Sequence, residues 1–173
     1  MDGYLLDTNV LIHPLKPQPQ ESGTVQQWLA KLSPEMPILV SVAALAELYV
    51  GPPRLKGADD VQARREIETS ISHSAFKICE ITKHTAAVYG DLKARMMRQY
   101  NRPKGKGKWP EKWPLPDKGS QLGIDEFDLL IVAHALEYRL VLVTNDDMKR
   151  IRDGLGEVAA ELQIVDWTKE PPV

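Results

Sequence analysis

Short runs of wholly apolar residues recur along this chain, separated by stretches of helical periodicity. Tyr4-Leu5-Leu6, Ile38-Leu39-Val40 and Leu140-Val141-Leu142-Val143 contain no polar position at all. A strand with one face in water alternates apolar and polar residues, so these runs need cover on both faces. With helices between consecutive strands, that cover is two helical layers around a parallel sheet. The pattern therefore predicts an α/β chain with a short-stranded parallel central sheet, in three layers α/β/α.

The remaining punctuation fits that plan. Residues 3–6 read as the first strand. Thr8-Asn9-Val10-Leu11-Ile12 reads as a short helix stopped near Pro14, before a Pro/Gln-rich loop over 14–21. Ser22 reads as the cap of a helix carrying Val25, Trp28, Leu29 and Leu32 on one face. The 38–40 strand leads into a helix from Val42 to Val50, ended by Gly51-Pro52-Pro53. A further helix is expected from Asp59 to about Ser74, then an extended segment at 76–78. Thr82 starts a longer helix with Ala86, Tyr89, Leu92 and Met96 inward. Another helix spans about Asp125 to Tyr138. It is followed by the 140–143 strand, a short helix around 147–152 and a last strand over 163–167. All 173 residues suit one domain, 1–173, with a basic Gly/Pro/Trp-rich insertion at about 99–122.

Composition narrows the class. The chain is 43% hydrophobic and 27% charged, enough for a core without disulfides. Cys79 is its one cysteine, which excludes an internal disulfide and suits a reducing, cytoplasmic setting. No apolar run approaches the roughly 20 residues of a membrane helix, and no signal peptide is visible at the start. The net charge of −2 does not announce a nucleic-acid binder.

Acidic residues fall where that fold would gather them. Asp7 closes the first strand, and Asp146 lies just past the end of the 140–143 strand, after Thr144 and Asn145. Ligands of open parallel sheets bind outside the carboxyl ends of the strands. Glu47 lies on the second turn of the helix leaving the second strand, and Asp128 in the first turn of its helix, where Asp125 is the natural N-cap. Asp147 competes with Asp146 but reads better as an exposed helix start. Two carboxylates about 4 Å apart cost on the order of 4 kcal/mol at an effective dielectric near 20. A hard divalent cation removes that conflict. An oxygen-only donor set favours Mg²⁺ or Mn²⁺ over Zn²⁺. Such an ion activates water and binds phosphoryl oxygens, the chemistry of phosphodiester hydrolysis. His13, His73, His84 and His134 show no ligand spacing, and His134, on an apolar helix, reads as a packed or surface residue, not a catalyst.

Taken together, the stretches Leu5-Leu6-Asp7-Thr8-Asn9-Val10-Leu11-Ile12, Ala44-Leu45-Ala46-Glu47-Leu48, 124–135 and Leu142-Val143-Thr144-Asn145-Asp146 resemble a PIN-domain ribonuclease, most of all a VapC-type toxin. The resemblance implies a PIN-like fold and a catalytic, metal-holding quartet of Asp7, Glu47, Asp128 and Asp146. It also implies supporting polar roles for Asn9 and Thr144. It further implies a Mg²⁺- or Mn²⁺-dependent endoribonuclease that dimerises and is neutralised by a small antitoxin. PIN nucleases also serve RNA processing, and a PIN-like module can bind RNA or protein without cutting. Other Mg²⁺ chemistry fits less well. A phosphatase nucleophile wants Asp-x-Asp, and Asn9 stands at the third position. A phospho-receiver wants adjacent early acids and a late strand-end lysine.

The insertion departs from the family pattern. Lys104, Lys106, Lys108, Trp109, Lys112 and Trp113 form a candidate RNA groove, lysines on phosphates and tryptophans on bases. The alternative is a solvated loop whose tryptophans pack on the domain, a dimer mate or an antitoxin.

Overall fold

A computed structural model describes residues 2–15, 21–50, 58–73, 75–100, 110–113 and 121–169. In chain order the strands are β1 (Tyr4–Leu6), β2 (Ile38–Ser41), β3 (Lys77–Cys79), β4 (Val141–Val143) and β5 (Ile164–Val165). The helices are α1 (Thr8–Leu15), α2 (Glu21–Lys31), α3 (Val42–Val50), α4 (Ala58–His73), α5 (Lys83–Gln99), α6 (Glu126–Glu137) and α7 (Lys149–Leu155). Short 3₁₀ turns occupy Pro110–Lys112 and Gly156–Glu161.

All strand pairings are parallel, and the sheet order is β3-β2-β1-β4-β5. The chain winds outward from β1 in one direction through β2 and β3. It then returns to the other side of β1 for β4 and β5. The switch point is thus the β1/β4 boundary, where Leu6 is in register with Val143. The residues following these two positions, Asp7 and Thr144, open onto the crevice that such a reversal creates.

The sheet is as apolar as its sequence demands. Leu5, Leu6, Val40, Leu142 and Val143 are fully buried. Burial of each such side chain contributes roughly 1.5–3 kcal/mol. Gly3 lets β1 start there: its φ is +146°, and a Cβ would lie 2.5 Å from the Pro37 carbonyl oxygen. On α6, Leu129, Ile131, Val132, Ala133, His134 and Ala135 are all buried, which makes it the central helix, packed on α3 and α5.

Several local expectations shift. α1 runs through Pro14 to Leu15, and α2 already begins at Glu21, so Ser22 lies inside the helix and not ahead of it. On α5 Thr85 is buried and Ala86 is exposed, because the Thr85 hydroxyl donates to Glu137 of α6 at 2.5 Å. β5 pairs only at Ile164 and Val165. Trp167 lies in the turn beyond it, fully buried between Tyr4 and Trp28, its ring 5.1 and 5.8 Å from theirs. α7 starts at Lys149 because Met148 takes a left-handed conformation, φ 48°, just before it. The Gly51-Pro52-Pro53 stop lies outside the described residues.

Candidate active site at the sheet switch point

Asp7 is the centre of the site. It is only 4% exposed, and its backbone N–H pairs with the Val143 carbonyl, continuing the β1/β4 ladder. Each carboxylate oxygen has a donor. The Thr8 N–H donates to Oδ1 at 2.7 Å, and the Thr144 hydroxyl to Oδ2 at 2.7 Å. Thr144 is itself oriented by the Asn9 amide, which donates to its Oγ1 at 3.1 Å, and by the Asp146 N–H at 3.0 Å. Asn9 and Thr144 therefore act on Asp7 through a single hydroxyl. Burial pushes the Asp7 pKa up; the Thr144 and Thr8 bonds oppose this, and the charge of Asp146 adds to it.

Glu47 reaches the same place from α3. The Thr8 hydroxyl donates to its Oε2 at 2.5 Å, tying the start of α1 to α3. Burial raises its pKa against that hydrogen bond, with Asp7 and Asp125 adding repulsion. Asp128 comes from α6. Its pKa is pushed up to about 7, first by burial and then by Asp7 and Glu47. It also closes the capping box of its helix, accepting from the Asp125 N–H at 3.3 Å, while Asp125 accepts from Phe127 N–H at 2.8 Å. Asp125 is thus the cap, as its position suggested.

Asp146 and Asp147 are both exposed and both line a cleft of about 330 Å³ with Asp128, Gly123, Lys149 and Arg150. Asp146 bears on Asp7 through its charge, and its Oδ1 accepts from Met148 N–H at 2.8 Å. Asp147 instead accepts from Lys149 N–H at 2.8 Å, at the start of α7. The helix start is the role its position suggested.

The relative placement of α3 and α6 rests on a residue that sequence reasoning left as either packed or on the surface. His134 is fully buried; one ring nitrogen meets the Ser41 hydroxyl at 3.0 Å and the other the Glu80 carbonyl at 3.2 Å. Burial pushes its pKa down, so the ring is neutral. Nε2 then carries the proton toward Glu80, and Nδ1 accepts from Ser41. Ser41 in turn accepts from the Ala43 N–H at 3.0 Å, capping α3. The pairing of a buried polar helix position with a serine ahead of α3 was the available signal.

The insertion divides. Lys104, Lys106, Lys108 and Trp109 lie outside the described residues. Lys112 is exposed on its 3₁₀ turn. Trp113 does not fit the groove reading: it is 1% exposed and packed in the hydrophobic core, so its indole cannot stack on a base.

The donor set fits a hard cation. Asp7 feels the charge of Asp146, Glu47 that of Asp7, and Asp128 those of Asp7 and Glu47, and oxygen donors are what Mg²⁺ and Mn²⁺ take. Among the described residues no three acidic, histidine or cysteine side chains are drawn into a ready-made metal cluster. Mg²⁺ needs no such cage, because it binds through one or two carboxylates and keeps several waters.

The sequence model of the PIN domain matches residues 4–154. The chain belongs to the PIN-domain family. A curated relative, Ribonuclease VapC2 of Rickettsia felis, is 27% identical over 150 residues, covering 86% of this chain and 91% of the relative. Among solved structures, VapBC-1 from nontypeable Haemophilus influenzae matches with a TM-score of 0.64 at 25% identity, covering 96% of this chain and 98% of that one. VapBC-5 from Mycobacterium tuberculosis, a member of the VapBC family of toxin–antitoxin systems, shares the fold. Its TM-score is 0.54 at 20% identity, over 96% and 99% of the two chains. The parallel five-stranded sheet flanked by helices is the architecture the apolar runs predicted, and it is the PIN fold that the motif resemblance implied.

Proposed function

We propose that this PIN domain is a metal-dependent endoribonuclease and the toxin of a toxin–antitoxin pair, acting in the cytoplasm. The observation that carries the reading is Asp7: a buried carboxylate at the switch point, with both oxygens oriented and three further acids around it. A structural acid would not be buried beside others of its own charge. The ribonuclease name of the Rickettsia relative and the toxin–antitoxin membership of VapBC-5 support the activity and a small antitoxin partner. Among the described residues no helix is long and apolar enough to cross a membrane.

Asp7, Glu47, Asp128 and Asp146 would hold Mg²⁺ or Mn²⁺. When bound, the ion supplies Lewis acidity toward a phosphoryl oxygen and lowers the pKa of water. The chain's own part is orientation. Thr144 and Thr8 fix the two oxygens of Asp7, Asn9 fixes Thr144, and Thr8 also holds Glu47. Asp128, its pKa pushed up to about 7, is partly protonated at neutral pH and would give up that proton when a cation compensates the charge of its neighbours. RNA enters across the cleft lined by Asp128, Asp146, Lys149 and Arg150, and the protein works as a homodimer.

The test is cleavage of RNA by purified protein with Mn²⁺ or with chelator, for wild type and Asp7→Asn. Cleavage requires the ion, and the substitution removes it by at least about a hundredfold with an unchanged circular dichroism spectrum. Undiminished cleavage by Asp7→Asn would sink the assignment. A wild type that binds RNA without cutting it would replace the nuclease with a binding module.

A further inference from the structure

Arg150 lies on α7, four positions beyond Asp146. Its Nη1 donates to the Leu122 carbonyl and, at 3.3 Å, to the Gln121 carbonyl. These carbonyls stand just ahead of Gly123-Ile124-Asp125, the approach to α6 and Asp128. Gly123 is left-handed, φ +63°, and a Cβ there would lie 3.1 Å from that same Nη1. The glycine thus lets the guanidinium lie close against the backbone. From the other side, Leu122 N–H donates to the Trp113 carbonyl at 2.7 Å and Gly123 N–H to the Glu111 carbonyl at 3.0 Å. Trp113 and Leu122 are both buried, so this segment has a fixed backing. α7 is held in turn from the end of α5, where Tyr100, the residue just beyond the helix, donates its hydroxyl to the Arg150 carbonyl at 2.6 Å.

We propose that Arg150 is a positioning residue that sets the separation of Asp128 and Asp146 by clamping the 121–123 backbone onto α7. The inference rests on the acid site proposed above. One nitrogen, Nη1, serves both successive carbonyls, held in the plane of the guanidinium in an orientation that a freely rotating lysine ammonium does not fix. Arg150 is exposed, so its replacement opens no cavity. The competing role for a cation at a cleft rim is direct contact with an RNA phosphate, and the two roles separate experimentally.

The experiment compares Arg150→Lys, Arg150→Gln and Asp128→Asn with wild type. It measures kcat, KM and their salt dependence on one RNA, and Mn²⁺ binding by calorimetry without RNA. For the clamp, Arg150→Lys lowers kcat and weakens Mn²⁺ binding by about tenfold or more, with KM and the salt slope unchanged. Arg150→Gln is no worse, because an amide still donates to a carbonyl. Arg150→Lys at wild-type values overturns the clamp. So does a pair in which lysine rescues while glutamine raises KM and flattens the salt slope, the signature of a phosphate contact. Asp128→Asn separates the two levels. Full Mn²⁺-dependent cleavage by that variant overturns the acid site and the clamp with it, whereas an inactive Asp128→Asn beside a wild-type-like Arg150→Lys overturns the clamp alone.

Discussion

The carboxylate cluster makes the metal-free protein less stable as pH rises, opposite to the usual behaviour of acidic side chains. Asp128 has an ordinary pKa of 3.8 when unfolded and about 7 when folded, because folding buries it beside Asp7 and Glu47. A folded pKa above the unfolded one means that the native state holds the proton more tightly. Its contribution is fully present below about pH 4 and is lost as pH rises through 7. Each pH unit inside that window costs about 1.4 kcal/mol, so going from pH 5 to pH 8 costs nearly 3 kcal/mol, most of it before pH 7. Asp7 and Glu47 are shifted in the same direction and deepen the loss. For a chain of this length, 1 kcal/mol moves Tm by roughly 2–4 °C, so Asp128 alone accounts for about 5–10 °C. The assay is thermal unfolding in chelator at pH 5 and pH 8, for wild type and Asp128→Asn. The amide cannot titrate, so the difference between the two proteins reports Asp128 together with its coupling to Asp7 and Glu47. Wild type should lose several degrees more than Asp128→Asn over that interval, and saturating Mg²⁺ should restore them at pH 8. Equal pH slopes for the two proteins would refute the reasoning, because Asp128 would then not be under the repulsion the structure assigns to it.

Two substitutions probe other links of the same chain of cause. Thr144→Val keeps the shape but removes the hydroxyl that Asp7, Asn9 and the Asp146 N–H share; kcat/KM should fall about 10–100-fold while Thr144→Ser stays within a few-fold of wild type, and a wild-type rate for the valine variant would remove Thr144 from the site. Trp113→Ala should destabilise the fold by about 3–5 kcal/mol in urea titrations, as a buried core residue; loss of RNA affinity at unchanged stability would restore the base-stacking reading of that tryptophan.

Legibility in the sequence followed the range of the forces involved. Strand and helix positions rest on local periodicity, so Tyr4–Leu6, Val42–Val50 and Val141–Val143 stand within a residue of where the apolar runs put them. Errors arose where a distant partner overrode the local preference. Thr85 is buried in place of Ala86 because Glu137, on another helix, accepts its proton. For Trp113 the local context left two readings open, an RNA groove or packing on the domain, and its burial against the 121–123 segment it backs selects the second.

The acids divide in the same way. By itself the sequence determined which carboxylates end strands and open helices, since a strand must stop where its apolar run stops and a cap must precede its helix. Tertiary structure alone decided that they share one field. Asp7 and Thr144 are 137 positions apart and meet only because β4 returns to the side of β1 opposite β2. Sheet order is set by competition among long-range burials, which leaves no periodic trace in the chain. The same holds for His134, whose neutral ring fastens α6 to the cap of α3. A buried histidine can be read from its apolar neighbours, but its partners are chosen by packing.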